Sequence, residues 1–273
     1  NGIIFKLIGS PLRGTFTEFM GPLFVEDISH ELAVKSIKSI KNFIEKKYSY
    51  IEFRLKHDHS RRGAFIEAFE GSNYVYQEME TLALDLSQGE EIIWKNFTGR
   101  ARTAVRKAQK NGLQAKFVTP TDEWIENYFE KLTATFRRQK LNVPHPKSFF
   151  HSIALLKKMQ NAFFIEINFE GENIAGGIFL IYDNRITFLS GTSNTLGMKL
   201  SAPTLLQWEA MQFGAKMGAE IYDFNGLGHD NIDKFKKSFG GKSVSHLKWT
   251  RINFILKKIL ETLIVLKSNV RFL

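Results

Sequence analysis

The sequence predicts an α/β (α+β) protein built as two tandem modules, each a mixed sheet flanked by helices. Three observations carry this. Segments with helical spacing of apolar residues alternate with strand-like runs along the 273 residues. The composition is globular, 43% hydrophobic and 24% charged with 25 phenylalanines, so burial can offset the entropy of ordering. The order of elements between 120 and 250 can also be traced, in more worn form, between 30 and 117. The expected modules are therefore 1–117 and 118–250, with 251–273 as a separate amphipathic helix.

In the first module, HELAVKSIKSIKNFIEKK (30–47) places apolar residues at 33, 34, 37, 40 and 44, one buried helical face. YSYIEFRLK alternates as a strand. RRGAFIEAFEG (61–71) reads as a strand or strand edge, and YVYQEMETLALDLS as a strand pair. Residues 88–111 read as two helices broken at Asn96-Phe97-Thr98. The second ends at Asn111-Gly112, where glycine suits a left-handed cap. On it Arg102, Arg106 and Lys110 share one face, and Ala101, Ala104, Val105 and Ala108 the other. LQAKFV follows as a strand.

In the second module, Thr121 caps a helix running to about Lys140. A proline-punctuated loop then leads into a second helix ending near Met159. NAFFIEINFEGENIAGGIFLIYDNRITFLSGTS gives three strands joined by hairpin turns at EGEN and YDNR. NTLGMKL reads as a loop. Ser201 as N-cap with Pro203 in the first turn starts a helix that ends near Gly218. AEIYDFNG is a strand, NIDKFKKSFGGK a short basic–aromatic helix with a glycine hinge, and VSHLKWTRI the last strand.

The chain has no cysteine, which excludes disulfides, thiolate metal sites and a cysteine nucleophile. No stretch has the layout of a signal peptide. A net charge of +10 points to anionic partners: nucleic acid, phosphorylated precursors, CoA-like cofactors or acidic lipid. The charge is uneven, since Lys95, Arg100, Arg102, Arg106, Lys107, Lys110 and Lys116 lie in one stretch without an acid. His57 and His59 in KHDHS, and His145 between two prolines, lack a third ligand nearby and read as loop residues, so no metal is expected.

Two segments together carry a family resemblance. One is TLALDLSQGEEIIWKNFTGRARTAVRKAQKNGLQAKFV. The other is SGTSNTLGMKLSAPTLLQWEAMQFGAKMGAEIYDFNGLGHDNIDKFKKSFGG. With the element order of 120–250, which is that of a GNAT (acyl-CoA N-acyltransferase) domain, they make the chain resemble the FemAB-like and BioF2-like tandem-GNAT transferases over roughly residues 75–250. The resemblance implies transfer of an acyl or aminoacyl group to an amine of a cell-envelope precursor, of peptidoglycan or polysaccharide type. It implies aminoacyl-tRNA or acyl-CoA as donor substrate, with no permanently bound cofactor. The expected location is cytoplasmic, with peripheral contact at the inner face of the membrane if the helix over 251–273 rests on anionic lipid. The family's Phe-Lys pair falls on Phe235 and Lys236, the lysine being linked to stabilising the transferring carbonyl. The sequence departs from the family twice. No long charged coiled-coil arm is inserted, and SNTLGMKL has only Gly197 where acetyl-CoA enzymes carry a glycine-rich pyrophosphate loop.

Amide formation from an activated ester or thioester needs a polarised carbonyl, a deprotonated amine and close alignment, but no covalent nucleophile. Lys236 is the candidate for the carbonyl, against the alternative of a surface lysine. Asp223 ends the strand EIYDF and is read either as accepting the amine proton or orienting the acceptor, or as a turn-former for Asn225-Gly226. Ser190, Gly191, Thr192, Phe235 and Asn225 are substrate-binding candidates. Arg102, Arg106 and the helix start at Ser201 are candidates for donor phosphates, against a solvated helix face and a plain N-cap. For 251–273 two readings stay open: a helix packed on the domain, or a basic amphipathic helix on anionic lipid. A non-catalytic ligand- or nucleic-acid-binding protein on the same scaffold is the rival reading of the whole chain.

Overall fold

The computed structural model describes residues 4–10, 21–22, 24–25, 27–56, 59–227 and 230–269. His57 lies outside them. In chain order the elements are β1 (Leu7–Ser10), α1 (His30–Glu45), β2 (Tyr50–Leu55), α2 (Arg62–Phe69), β3 (Val75–Asp85), α3 (Glu90–Asn96), α4 (Gly99–Lys110) and β4 (Gln114–Val118). There follow α5 (Asp122–Arg138), α6 (Lys147–Leu156), β5 (Ala162–Phe169), β6 (Glu172–Tyr182), β7 (Arg185–Ser193) and α7 (Thr195–Lys199). The last are α8 (Ala202–Lys216), β8 (Ile221–Gly226), α9 (Asp230–Lys237), β9 (Lys242–Ile252) and α10 (Phe254–Asn269). By contact the chain forms two compact units, Asn1–Met79 with Ser245–Leu273, and Glu80–Val244. The first unit is thus assembled from two separated stretches, and these divisions fall elsewhere than the module limits read from the sequence.

In the first unit β1 pairs parallel with β2, and β2 pairs antiparallel with β9 from Tyr50↔Ile252 to Leu55↔Leu247. One face of this sheet carries Ile51, Phe53, Leu55, Leu247 and Trp249, which bury against Ala33, Val34 and Ile37 of α1 and Ala64, Phe65 and Phe69 of α2. Residues 62–69 are therefore a helix and not the expected strand. Ala64, Phe65, Ala68 and Phe69 recur at helical spacing, and packing on Trp249 overrides the strand-like aromatic content.

In the second unit the sheet order is β3-β8-β7-β6-β5-β4. The residues expected as a strand pair form one eleven-residue strand, β3, whose register against β8 shifts between Thr81 and Ala83. A bulge of this kind absorbs an extra residue without ending the strand. Helix α8 is buried nearly all round, through Ala202, Leu205, Leu206, Trp208, Ala210 and Met211. It packs on β4 to β7 on one side and on α4 on the other. Helix α5 packs on β7, burying Ile125, Tyr128 and Leu132, with α6 against it. Residues 195–199, expected as loop, form the short helix α7, capped by Asn194, whose Oδ1 accepts from the Gly197 amide at 2.7 Å.

Candidate functional site

Strands β7 and β8 run parallel but share only three register pairs, Arg185↔Ile221, Ile186↔Tyr222 and Thr187↔Asp223. Beyond them the two strands part. The β6–β7 register shifts between Ile178 and Phe179, and Asn225, next to last in β8, lies in the left-handed region at φ +62°. Backbone groups at such a fork lose their ladder partners and must be satisfied by other means.

Asp223 supplies much of that. Its Oδ1 accepts from the Asn225 amide at 2.8 Å and from Thr81 Oγ1 at 2.6 Å, and its Oδ2 accepts from Arg185 Nη1 at 3.0 Å. Asp223, Thr81, Arg185 and Asn225 are all buried. The carboxylate thus ties β3, β7 and β8 together at the fork, in the geometry of the turn-forming alternative. Both oxygens are committed to protein donors.

Lys236 is 7% exposed, which excludes the surface-lysine alternative. Its Nζ donates to Asn225 O at 2.9 Å and to Gly226 O at 2.5 Å. The left-handed turn at Asn225 presents these carbonyls, and α9 delivers the ammonium. A buried ammonium requires such acceptors, and its charge is fixed at the tip of β8. Phe235 packs edge-on to Phe239, with centroids 5.1 Å apart at 88°. Phe239 in turn lies against Phe97 and Phe224. Gly240 has φ +78°, and a Cβ there would lie 2.4 Å from Asn96 O. Only glycine lets the chain pass the end of α3 and enter β9.

The remaining expected residues are not gathered at the fork. Ser190 and Thr192 point towards α5. Ser190 Oγ is 2.9 Å from the Tyr128 hydroxyl, and burial pushes that phenol well above its ordinary range. Thr192 Oγ1 is buried without a hydrogen-bond partner. Gly191 alternates to the other face, where a Cβ would meet Phe188 at 2.9 Å. Arg102 donates from Nη1 to the carbonyls of Lys95, at 2.9 Å, and Phe97, so it closes the end of α3. Arg106 is exposed and lies over the Trp94 ring, 5.4 Å from its centroid. Ser201 occupies the N-cap position of α8 at φ +65° but makes no side-chain cap bond. The next residue, Ala202, is fully buried, and Pro203 has no N–H, so this helix start offers few donors to a phosphate.

Where a pyrophosphate loop was sought, α7 is closed. A Cβ on Gly197 would lie 2.5 Å from both Ile174 O and Ser193 Oγ, and the Gly197 amide is taken by Asn194. His145 stacks on Phe149 at 4.0 Å, and burial lowers its pKa. Among the described residues no cluster of three metal-ligating side chains occurs.

Sequence reasoning missed Arg185, Thr81 and Tyr128. The signal for Arg185 was an arginine opening an otherwise uncharged strand directly after the YDN turn, where a buried cation requires a buried carboxylate.

Comparison with known proteins follows the same lines. The FemAB family matches residues 152–247, which include β7, β8, α9 and the fork. No curated protein matches the sequence. Among solved structures the chain is similar to FemX, with TM-score 0.69 at 14% identity over 90% of this chain and 82% of that one. It is similar to L-PGS from Bacillus licheniformis, with TM-score 0.53 at 15% identity over 82% of this chain and 76% of that one. It is also similar to a tandem GNAT protein from the clavulanic acid biosynthesis pathway, with TM-score 0.51 at 9% identity over 81% and 69%. The fold is mixed α/β and GNAT-like, as the sequence predicted, and over residues 152–247 the chain is similar to the FemAB family.

Proposed function

We propose that this protein transfers an acyl or aminoacyl group from an activated ester to an amine of a cell-envelope precursor. The carrying observation is the fork between β7 and β8 with the Lys236 ammonium at its tip. The match of residues 152–247 to the FemAB family and the fold shared with FemX and L-PGS support the reading. In this reaction the amine nitrogen attacks the donor carbonyl carbon, and the ester C–O bond breaks. The amine proton leaves with the departing oxygen. Negative charge collects on the carbonyl oxygen in between, and the fixed charge of Lys236 favours it.

Asp223 is a positioning residue here. It holds Asn225 in the turn that aims two carbonyls at Lys236. Phe235 and Asn225 frame the site, and Arg106 with its basic neighbours on α4 meets donor phosphates. The closed α7 segment favours aminoacyl-tRNA over acyl-CoA as donor, because a pyrophosphate needs free backbone N–H groups that Gly197 does not offer. Contact with tRNA, a cytoplasmic location and the two-module ancestry with limits at 117 and 250 belong to the same proposal.

The test is a donor screen followed by Lys236→Ala. Transfer in the variant falls by roughly 100- to 1,000-fold, with an unchanged circular dichroism spectrum. Full activity would remove Lys236 from the chemistry. Donor binding without transfer to any amine, in the unaltered protein, would favour the non-catalytic reading.

A further inference from the structure

The outer side of α4 is a surface of one charge. Arg102 turns away from it to the carbonyls of Lys95 and Phe97. Arg100, Arg106, Lys107 and Lys110 are exposed, and at about 100° per residue they fall within an arc of about 120°. The arc otherwise holds only Gly99 and Thr103, while Ala101, Val105 and Ala108 are buried on the opposite side. Helix α7 extends the surface. Lys107 Nζ donates to Lys199 O at 3.2 Å, and the Lys199 side chain is itself exposed. Neither segment supplies an acid, since residues 92–121 and 184–208 hold no Asp or Glu. Among the described residues none of the five cations forms an ion pair. Lys107 uses one of its three donors on Lys199. Arg106 lies over the Trp94 ring, and a stacked guanidinium keeps its N–H donors in its own plane for an oxyanion.

The make-up of this surface narrows the choice of partner. From Arg100 to Lys110 it runs about 15 Å along the helix axis, which suits a polymer of phosphates better than a single pyrophosphate. A bilayer finds no apolar side chain in the α4 arc to insert. A single strand needs open aromatic faces on which its bases stack. The ring beside the arc, Trp94, is covered by Arg106 and meets Trp208 with centroids 5.0 Å apart. A double helix asks only for cations along its backbone. We infer that α4, with Lys199 of α7, docks the phosphate backbone of a double-helical RNA stem through Arg100, Arg106, Lys107, Lys110 and Lys199. The inference rests on the transferase reading for RNA over DNA, because an aminoacyl ester is carried by RNA, and it deepens that reading by placing the stem of the donor.

The test is fluorescence anisotropy of a labelled RNA hairpin that carries no amino acid, titrated with the full chain at rising KCl. Log affinity falls linearly with log salt, with a slope of roughly −4 to −5 for five phosphate contacts. Arg100→Gln with Lys110→Gln weakens binding and brings the slope about 2 closer to zero. Lys38→Gln with Lys46→Gln, at and beside the end of α1, removes the same charge and leaves affinity and slope as in the parent. All four side chains are exposed, so both variants keep the melting transition of the parent. Four results overturn the inference: no binding to the hairpin, whether or not phosphatidylglycerol vesicles take the protein up; a parental slope in the α4 variant; an equal loss in the α1 variant; or tighter binding to a DNA duplex of the same sequence. The hairpin carries no acyl group and no acceptor is present, so failure here leaves the role of Lys236 standing, and a failure of transfer leaves the docking standing.

Discussion

Among the described residues each unit buries an arginine–carboxylate pair, and the two pairs differ in what they join. In the first unit Arg54 Nε donates to Glu52 Oε1 at 2.6 Å, and the Tyr50 hydroxyl donates to the same carboxylate. All three residues lie on β2 at a spacing of two, so the network runs along a single strand. In the second unit Arg185 and Asp223 lie on different strands and span the three shared pairs of β7 and β8. Thr81 brings in a third strand. A pair within one strand adds little information about the fold. A pair across strands at a fork sets how far they run together and where they part. Buried ion pairs contribute little net stability when intact but cost much when broken, so each gives a different signature on removal.

The largest effect is expected for Asp223→Ala, which leaves the buried Arg185 without that carboxylate and strips two further bonds. It lowers stability by about 3–5 kcal/mol, measured by urea unfolding, and abolishes transfer because Asn225 no longer presents Lys236 its carbonyls. Glu52→Ala follows, at about 3 kcal/mol, with transfer per folded molecule retained. If Glu52→Ala stopped transfer and Asp223→Ala did not, the contrast between the two pairs would fail.

The smallest effect sharpens the same contrast through pH. His246 is buried on β9, and desolvation, with Arg54 and then Lys248 nearby, lowers its pKa from 6.5 to about 4. The folded protein holds this ring neutral while the unfolded chain protonates it. Stability is therefore full above pH 6.5 and falls as the pH drops from 6.5 towards about 4, by at most about 1.4 kcal/mol per pH unit. His246→Gln flattens that slope. An unchanged slope would show that His246 is not the group responsible.

Much of this architecture was legible in the sequence, and the failures share a cause. Helices α1, α5 and α8 announce themselves by periodicity and caps, and β5 to β7 by hairpin turns that the structure places at Glu170-Gly171 and Asp183-Asn184, all at positive φ. Helix α2 was hidden because eight residues rich in aromatics fit either period, and only Trp249, far along the chain, decides. Helix α7 is too short to show a period. At the candidate site the Phe-Lys pair was visible as a motif, but the burial of Lys236 was not, because it depends on carbonyls freed by a left-handed turn eleven residues earlier. Arg102 looked like a phosphate ligand from its helical face alone. The carbonyls it closes belong to the preceding helix, whose direction no spacing rule encodes.

The first unit is assembled from residues 1–79 and 245–273, and this sets an order of events during synthesis. The second unit is a contiguous segment and can complete its sheet and core while Ser245 is still in the ribosome. The first unit cannot, because β2 gains its partner β9 only after about 200 intervening residues have been made. Until then β2 presents an open edge, and Leu55, Phe65 and Phe69 await Trp249. The nascent chain thus passes through a stage in which one half is finished and the other still exposes its core. That stage is where a chaperone, or aggregation, would act.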